Sequence, residues 1–412
     1  MISFWRIFWL ETVALVRSKS LWVLAAAVVG WTLLAPAVIT GDGTAAGARA
    51  LELKYSLGGA TLLAMVTMTI HGAGSLALER ASKRLQLALV RPAPRLALVG
   101  GRVLAAAAAA AAVLALAALV VAARHPLSQP CRHVLRPQLP EISATAERLY
   151  EHLLKAETSA AEMKRLGRAA ALRVLTQRIY DNYDAVPTNA AIAWRIAPVD
   201  ASGGASVRLR FTHSLGMREQ VRGRLEFGGA SAEVDCLTQA VMEFPLRGEI
   251  AAAEELKFEN LGAHAVLFRP RRDVEVLVPA DGFGWNLLRA WAELAALATL
   301  LIALAVFLGG TLSRPVAVFT LLVVLLVSEA GPDVIDRNPE EIMDSAIDRF
   351  GLFVTRTATT LTRPFSSVAP LARLGEDECI ERGEMAAAVT RCLALAFLFT
   401  LLTAALLPRK PE

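Results

Sequence analysis

The chain has 412 residues, of which 55% are hydrophobic, 6% aromatic and 20% charged, with a formal net charge of +5 and a mean hydropathy of +0.46. It is too apolar to lie wholly in water and too charged to lie wholly in lipid, so membrane spans plus at least one water-exposed domain are expected. The positive excess sits in short loops beside apolar segments, where it reads as membrane topology and not as nucleic-acid binding.

Residues 1–20 mix Phe4, Trp5, Ile7, Phe8, Leu10, Val13 and Leu15 with Arg6, Glu11 and Arg17. That pattern suits an amphipathic helix lying in the membrane interface. Ala35-Pro36-Ala37 has the small residues of a signal-peptide cleavage site, but the long patterned stretch before it argues for retention. A span needs about 20 apolar residues. Six candidates follow: Leu21–Thr40, Leu57–Leu78, Leu98–Ala123, Leu287–Leu308, Val316–Ser328 and Met385–Leu407. The fifth is short. Glycines at span ends and the run Ala105–Ala112 are small enough for close helix packing.

The basic flanks orient these spans. Arg6, Arg17 and Lys19 precede the first, loop 79–95 joins the second and third, Arg314 separates the fourth and fifth, and Arg409 and Lys410 follow the sixth. All become cytoplasmic with both termini inside, in a multi-pass inner (plasma) membrane protein. The expected division is 1–20 as interfacial helix, 21–123 as three spans, 124–285 outside, 286–328 as two spans, 329–384 outside, and 385–412 as the last span and tail.

The 124–285 region is expected to be an extracytoplasmic α+β domain. A helical pattern covers Ser143 to about Asp184. From about Ala191 the period becomes two, with strand-like runs at Val207–Phe211, Val221–Phe227, Ala240–Leu246, Leu256–Glu259, Ala265–Phe268 and Val274–Val278. Short strands with such turn signals suggest a small β-sandwich. In 329–384, Pro339–Phe350 reads as an amphipathic helix, while Arg363-Pro364 and Ser366–Pro370 break regular structure.

Chemical motifs are few. The sequence has no GxxxxGK[ST], HExxH, GxSxG or EF-hand loop, so no catalytic centre, metal site or cofactor is expected in this chain. No CxxC occurs; Cys131, Cys236 and Cys379 fall outside the spans, where a disulfide is possible. His71 lies inside the second span, and an ionisable residue there is a candidate for the translocation path. Packing against a neighbouring helix is the plainer role for it. Glu293 is expected to pair with Arg289 one turn earlier.

Loop 79–95, ERASKRLQLALVRPAPR, carries Glu79, Arg80, Arg84, Leu85, Leu87, Leu89, Pro92 and Arg95. With the spans around it, this segment resembles the first cytosolic loop in the permease subunit of ABC type-2 transporters. Ala81, Lys83, Arg84 and Gln86 depart from the family pattern, replacing an acid, a glycine, a threonine and another acid, so the loop is more basic than usual. The likeness is best over the first three spans. It implies that the loop is a coupling helix docked on a separate ATPase subunit, where ATP and Mg²⁺ bind. It also implies a second permease copy or homologue, and an extracytoplasmic insertion in the 124–285 region. The competing expectation is a non-transporting membrane scaffold whose outer domain binds cell-envelope partners.

Overall fold

The computed structural model describes residues 2–39, 45–82, 94–138, scattered positions between 147 and 175, 184–201, 204–210, 212–213, 220–237, 241–246, 250–268, 273–337 and 368–407. Contacts divide the chain into a helical unit, Met1–Gln129 with Gly282–Glu412, and a strand-rich unit, Pro130–Asp281.

The helical unit contains α1 (Ile2–Arg17), α2 (Lys19–Val38), α3 (Ala45–Ala81), α4 (Arg95–Arg124), α5 (Phe283–Thr311), α6 (Arg314–Arg337), α7 (Val368–Gly375) and α8 (Arg382–Leu406). Five of these, α2, α3, α4, α5 and α8, are long and apolar enough to cross a membrane. The short fifth candidate is the apolar part of α6, Arg314–Ser328, and the helix continues past it. The 37-residue α3 is about 55 Å long at 1.5 Å per residue. It exceeds a hydrocarbon layer of about 30 Å, and its charges cluster near its start, at Arg49, Glu52 and Lys54.

Helix α5 is the hub. Leu300, Leu301, Ile302 and Ala303 are buried in succession, as in a helix enclosed on every side. It packs against α3, α4 and α8. Small residues permit the closest crossing: a Cβ on Gly309 would lie 2.2 Å from the Ala73 carbonyl oxygen, and one on Gly72 would lie 3.2 Å from the Ala305 Cβ.

Pro370 lies within α7 and does not break it, contrary to the sequence expectation. It occupies the first turn, where a helix does not need the missing N–H. The helical pattern over Ser143–Asp184 lies largely outside the described residues, and Pro339–Phe350 lies wholly outside them.

The strand-rich unit contains β1 (Pro130–Leu135), β2 (Asp184–Val186), β3 (Ala191–Ala201), β4 (Ala205–Arg210), β5 (Thr212–His213), β6 (Gln220–Phe227), β7 (Ala230–Leu237), β8 (Val241–Leu246), β9 (Ile250–Asn260), β10 (Val266–Phe268) and β11 (Val274–Gly282). They form three sheets, ordered β1-β11-β4-β8, β2-β10-β5 and β3-β9-β6-β7. Alternation does the sorting. In β6, Val221, Leu225 and Phe227 are buried while Arg222 and Glu226 are exposed. One apolar cluster draws on all three sheets, with Phe268 edge-on to both Trp194 and Phe258. Gly228 and Gly229 take positive φ values of 58° and 86°, which is what a two-residue β6–β7 hairpin turn requires. Buried Asn260 is fully engaged: its amide donates to the carbonyls of Val186 and His264, and its oxygen accepts from the Gly262 N–H. It organises loops and is not a site.

The α3–α5 crossing is open to test. Gly309→Ala must push the Ala73 backbone away, at a cost of about 1–3 kcal/mol. Gly30 has open space around it, so Gly30→Ala is expected to be neutral or slightly stabilising. Thermal unfolding of the two variants in detergent checks the contrast.

Candidate functional site

Loop 79–95 begins where α3 ends, and Pro94 opens α4. Arg84, Leu85, Leu87, Leu89 and Pro92 lie outside the described residues. Glu79, Arg80 and Arg95, which frame them, are described, and each has a partner distant in sequence.

Arg80 donates from Nη1 to the Gly310 carbonyl at 2.8 Å and from Nη2 to the Leu312 carbonyl at 2.7 Å. Arg95 donates to the Leu407 carbonyl at 2.9 Å. A helix leaves its last four carbonyls without intrahelical donors and ends in partial negative charge. The two arginines therefore seal the C-terminal ends of α5 and α8.

Glu79 enters an ion-pair triad. Its Oε1 accepts from Arg102 Nη2 at 2.8 Å, and Arg102 Nε donates to Glu11 at 3.0 Å. Arg102 is buried, with its side chain 8% exposed. It joins α4 to both α1 and α3. Among the described residues, Arg102 Nη1 and Glu79 Oε2 are buried without a hydrogen-bond partner. The Gly100-Gly101 pair makes the geometry possible. A Cβ on Gly101 would meet the Ile7 side chain at 2.8 Å, so only glycine lets α1 approach closely enough for Glu11 to reach Arg102.

These bonds gather α1, the frame of the loop, the α5–α6 turn and the end of α8 at one end of the bundle. His71 is exposed on α3, with Glu11 and Arg314 as the charges facing it. It does not line the crevice between α3, α4 and α5, whose walls include Leu57, Leu114, Ala290 and Trp291.

The opposite end carries a second polar group. Arg49 pairs with Asp377 at 3.3 Å and stands over the Phe283 ring; Arg124 and His125 face Glu52 at 3.2 and 3.7 Å. Buried Asn286 donates to the Glu378 carbonyl and accepts from the Ile380 N–H, while Arg289 donates to the Ile380 carbonyl. Arg289 thus holds the 378–380 segment, where the sequence suggested Glu293 as its partner. Cys131 and Cys379 are each disulfide-bonded, and Cys392 is free and buried.

Sequence reasoning missed Arg102, Glu11 and the helix-sealing roles of Arg80 and Arg95. Arg102 did leave a signal, because it is a charge inside the predicted span Leu98–Ala123. Chemically, the triad holds charge and position; among the described residues, no three His, Cys, Asp or Glu side chains group as metal ligands. No protein family, curated protein or solved structure matches the chain.

Removing one partner from a buried ion pair costs roughly 3–5 kcal/mol. The carboxylate side chains here are 34% and 31% exposed, so Arg102→Gln is expected at or below the lower end of that range, with Glu11→Gln costing less; thermal unfolding in detergent measures both. A second prediction concerns pH. Burial, ahead of the opposing pull of Glu52, holds His125 below its ordinary value of 6.5; Arg49 and Arg124 push the same way, and Asp377 pushes against them. The folded state therefore favours neutral imidazole, and the stability it contributes is present above pH 6.5 and lost as pH falls through the lowered pKa. The unfolding temperature should drop on acidification in that window, and His125→Gln should flatten the slope.

Proposed function

We propose that this chain is the membrane permease subunit of an ATP-driven export system of the ABC type-2 class. ATP and Mg²⁺ belong to a separate ATPase subunit, and a second permease copy or homologue completes the path.

The observation that carries this reading is the anchoring of loop 79–95. Its two ends are tied to the last carbonyls of α5 and α8 by Arg80 and Arg95, and to α1 through Glu79 and Arg102. A soluble partner pushing on residues 83–93 thereby moves the ends of four helices together. This is what a coupling element needs.

The reading takes α6 as a sixth crossing and places this end in the cytoplasm. Arg6, Arg17, Lys19, Arg80, Arg95, Arg102 and Arg314 lie there against Glu11 and Glu79, and cytoplasmic flanks carry such an excess. The disulfide-bonded Cys131 and Cys379 suit an oxidising outer compartment. Exposed His71 then faces the second permease or the path. A membrane anchor whose outer unit binds envelope partners is the second reading, favoured by the separate apolar core of the strand-rich unit.

Co-expression with the ATPase encoded in a neighbouring reading frame tests the proposal. The two should co-purify. Arg84→Glu and Pro92→Ala should lower permease-dependent ATPase activity about tenfold, equivalent to about 1.4 kcal/mol of coupling. Arg80→Gln should keep assembly and weaken coupling. If no ATPase associates and these variants change nothing, the anchor reading replaces this one.

A further inference from the structure

Helix α1 displays three separate arcs at about 100° per residue. Phe4, Ile7, Phe8, Glu11 and Leu15 fall within about 100° of arc, on the side packed against Gly100, Gly101 and Arg102 of α4. Trp5, Trp9 and Val16 share about 40° of a second arc and are 58%, 65% and 47% exposed. Arg6 and Arg17 lie beyond the tryptophans on a third, also exposed, with Leu10 beside them.

Two features say what covers this surface. The first is a break in the axis: Ser18 has an extended ψ of 131° between α1 and α2 and caps α2 through the Leu21 N–H. Helix α1 thus leaves the line of the α2 span. The second is charge. The one acid of α1, Glu11, points inward and is paired with Arg102, so the exposed charges of α1 and the start of α2 are Arg6, Arg17 and Lys19. Indole rings settle at the headgroup level, and basic side chains beside them are drawn to anionic lipid.

We infer that the exposed face of α1 is a docking surface for an anionic phospholipid leaflet, with Trp5 and Trp9 in the headgroup layer and Arg6, Arg17 and Lys19 on lipid phosphates. The inner pairing of Glu11 with Arg102 strips the surface of its only negative charge and links lipid contact to Glu79 at the start of the loop. The inference needs a membrane around the helical unit and does not depend on the transport reading.

Hydrogen exchange on the full chain in nanodiscs tests it, with phosphatidylglycerol-containing discs compared against pure phosphatidylcholine. Peptides from α1 should be protected several-fold more in the anionic discs, and 0.5 M salt should remove the difference. An Arg6→Gln/Arg17→Gln/Lys19→Gln variant should lose the lipid dependence; at about fivefold per basic residue, the combined loss in lipid affinity is on the order of 100-fold. Unchanged protection of α5 peptides in that variant shows that the bundle is intact. Equal protection of α1 in both lipids overturns the anionic assignment. Protection that appears only when two chains share a disc makes the face an interface between copies.

Discussion

A helix in hydrocarbon satisfies its own backbone everywhere except at its ends, where the last carbonyls need donors that lipid does not supply. Much of the helical unit answers that constraint. Arg80 and Arg95 donate to the ends of α5 and α8, while Asn286 and Arg289 satisfy the 378–380 segment from within α5. Trp31 and Trp291 add bonds away from the helix ends, to the carbonyls of Tyr55 within α3 and Ala111 within α4. Each bond joins two elements, so satisfying the backbone also fixes the order of the bundle.

Close packing then depends on what is missing from the side chains. Gly309 lets the α5 backbone meet Ala73 of α3, and Gly101 lets α1 meet α4. Without an oil–water difference to drive association inside a bilayer, such contacts supply much of the attraction between helices. They also bring charged groups into reach. Arg102 reaches Glu11 because α1 lies directly on the glycine pair.

The two ends of the bundle differ in electrostatic character. One gathers mostly arginines around a basic loop; the other alternates Arg49, Arg124 and His125 with Glu52 and Asp377. An unbalanced end suits contact with charged partners, whether a soluble subunit or a lipid leaflet. A balanced end suits closure of the bundle around its own loops. The strand-rich unit has a separate core and a separate logic, in which β-period alternation buries one set of side chains and leaves Arg–Glu pairs such as Arg224 with Glu259 towards water.

The apolar runs were legible because length and hydropathy are local properties. Five of the six predicted spans coincide with helices long and apolar enough to cross a membrane, and the short fifth candidate lies on the apolar part of α6. Strands β4, β6, β8 and β11 were legible from alternation, whereas β1, in a proline-rich stretch, and β7, whose Ala230 and Ala232 give a weak pattern, were not. The basic loop was visible, but the partners of its frame were not. Arg95 bonds a carbonyl 312 residues away, and Arg80 one 230 residues away. By itself, the sequence determined which segments are apolar, which alternate and where positive charge concentrates. Only the tertiary structure decided that Arg102 meets Glu11 and Glu79, that glycine pairs are contact points, and that arginines of the loop frame seal other helices, because such pairings depend on how each helix is rotated and which neighbour it faces.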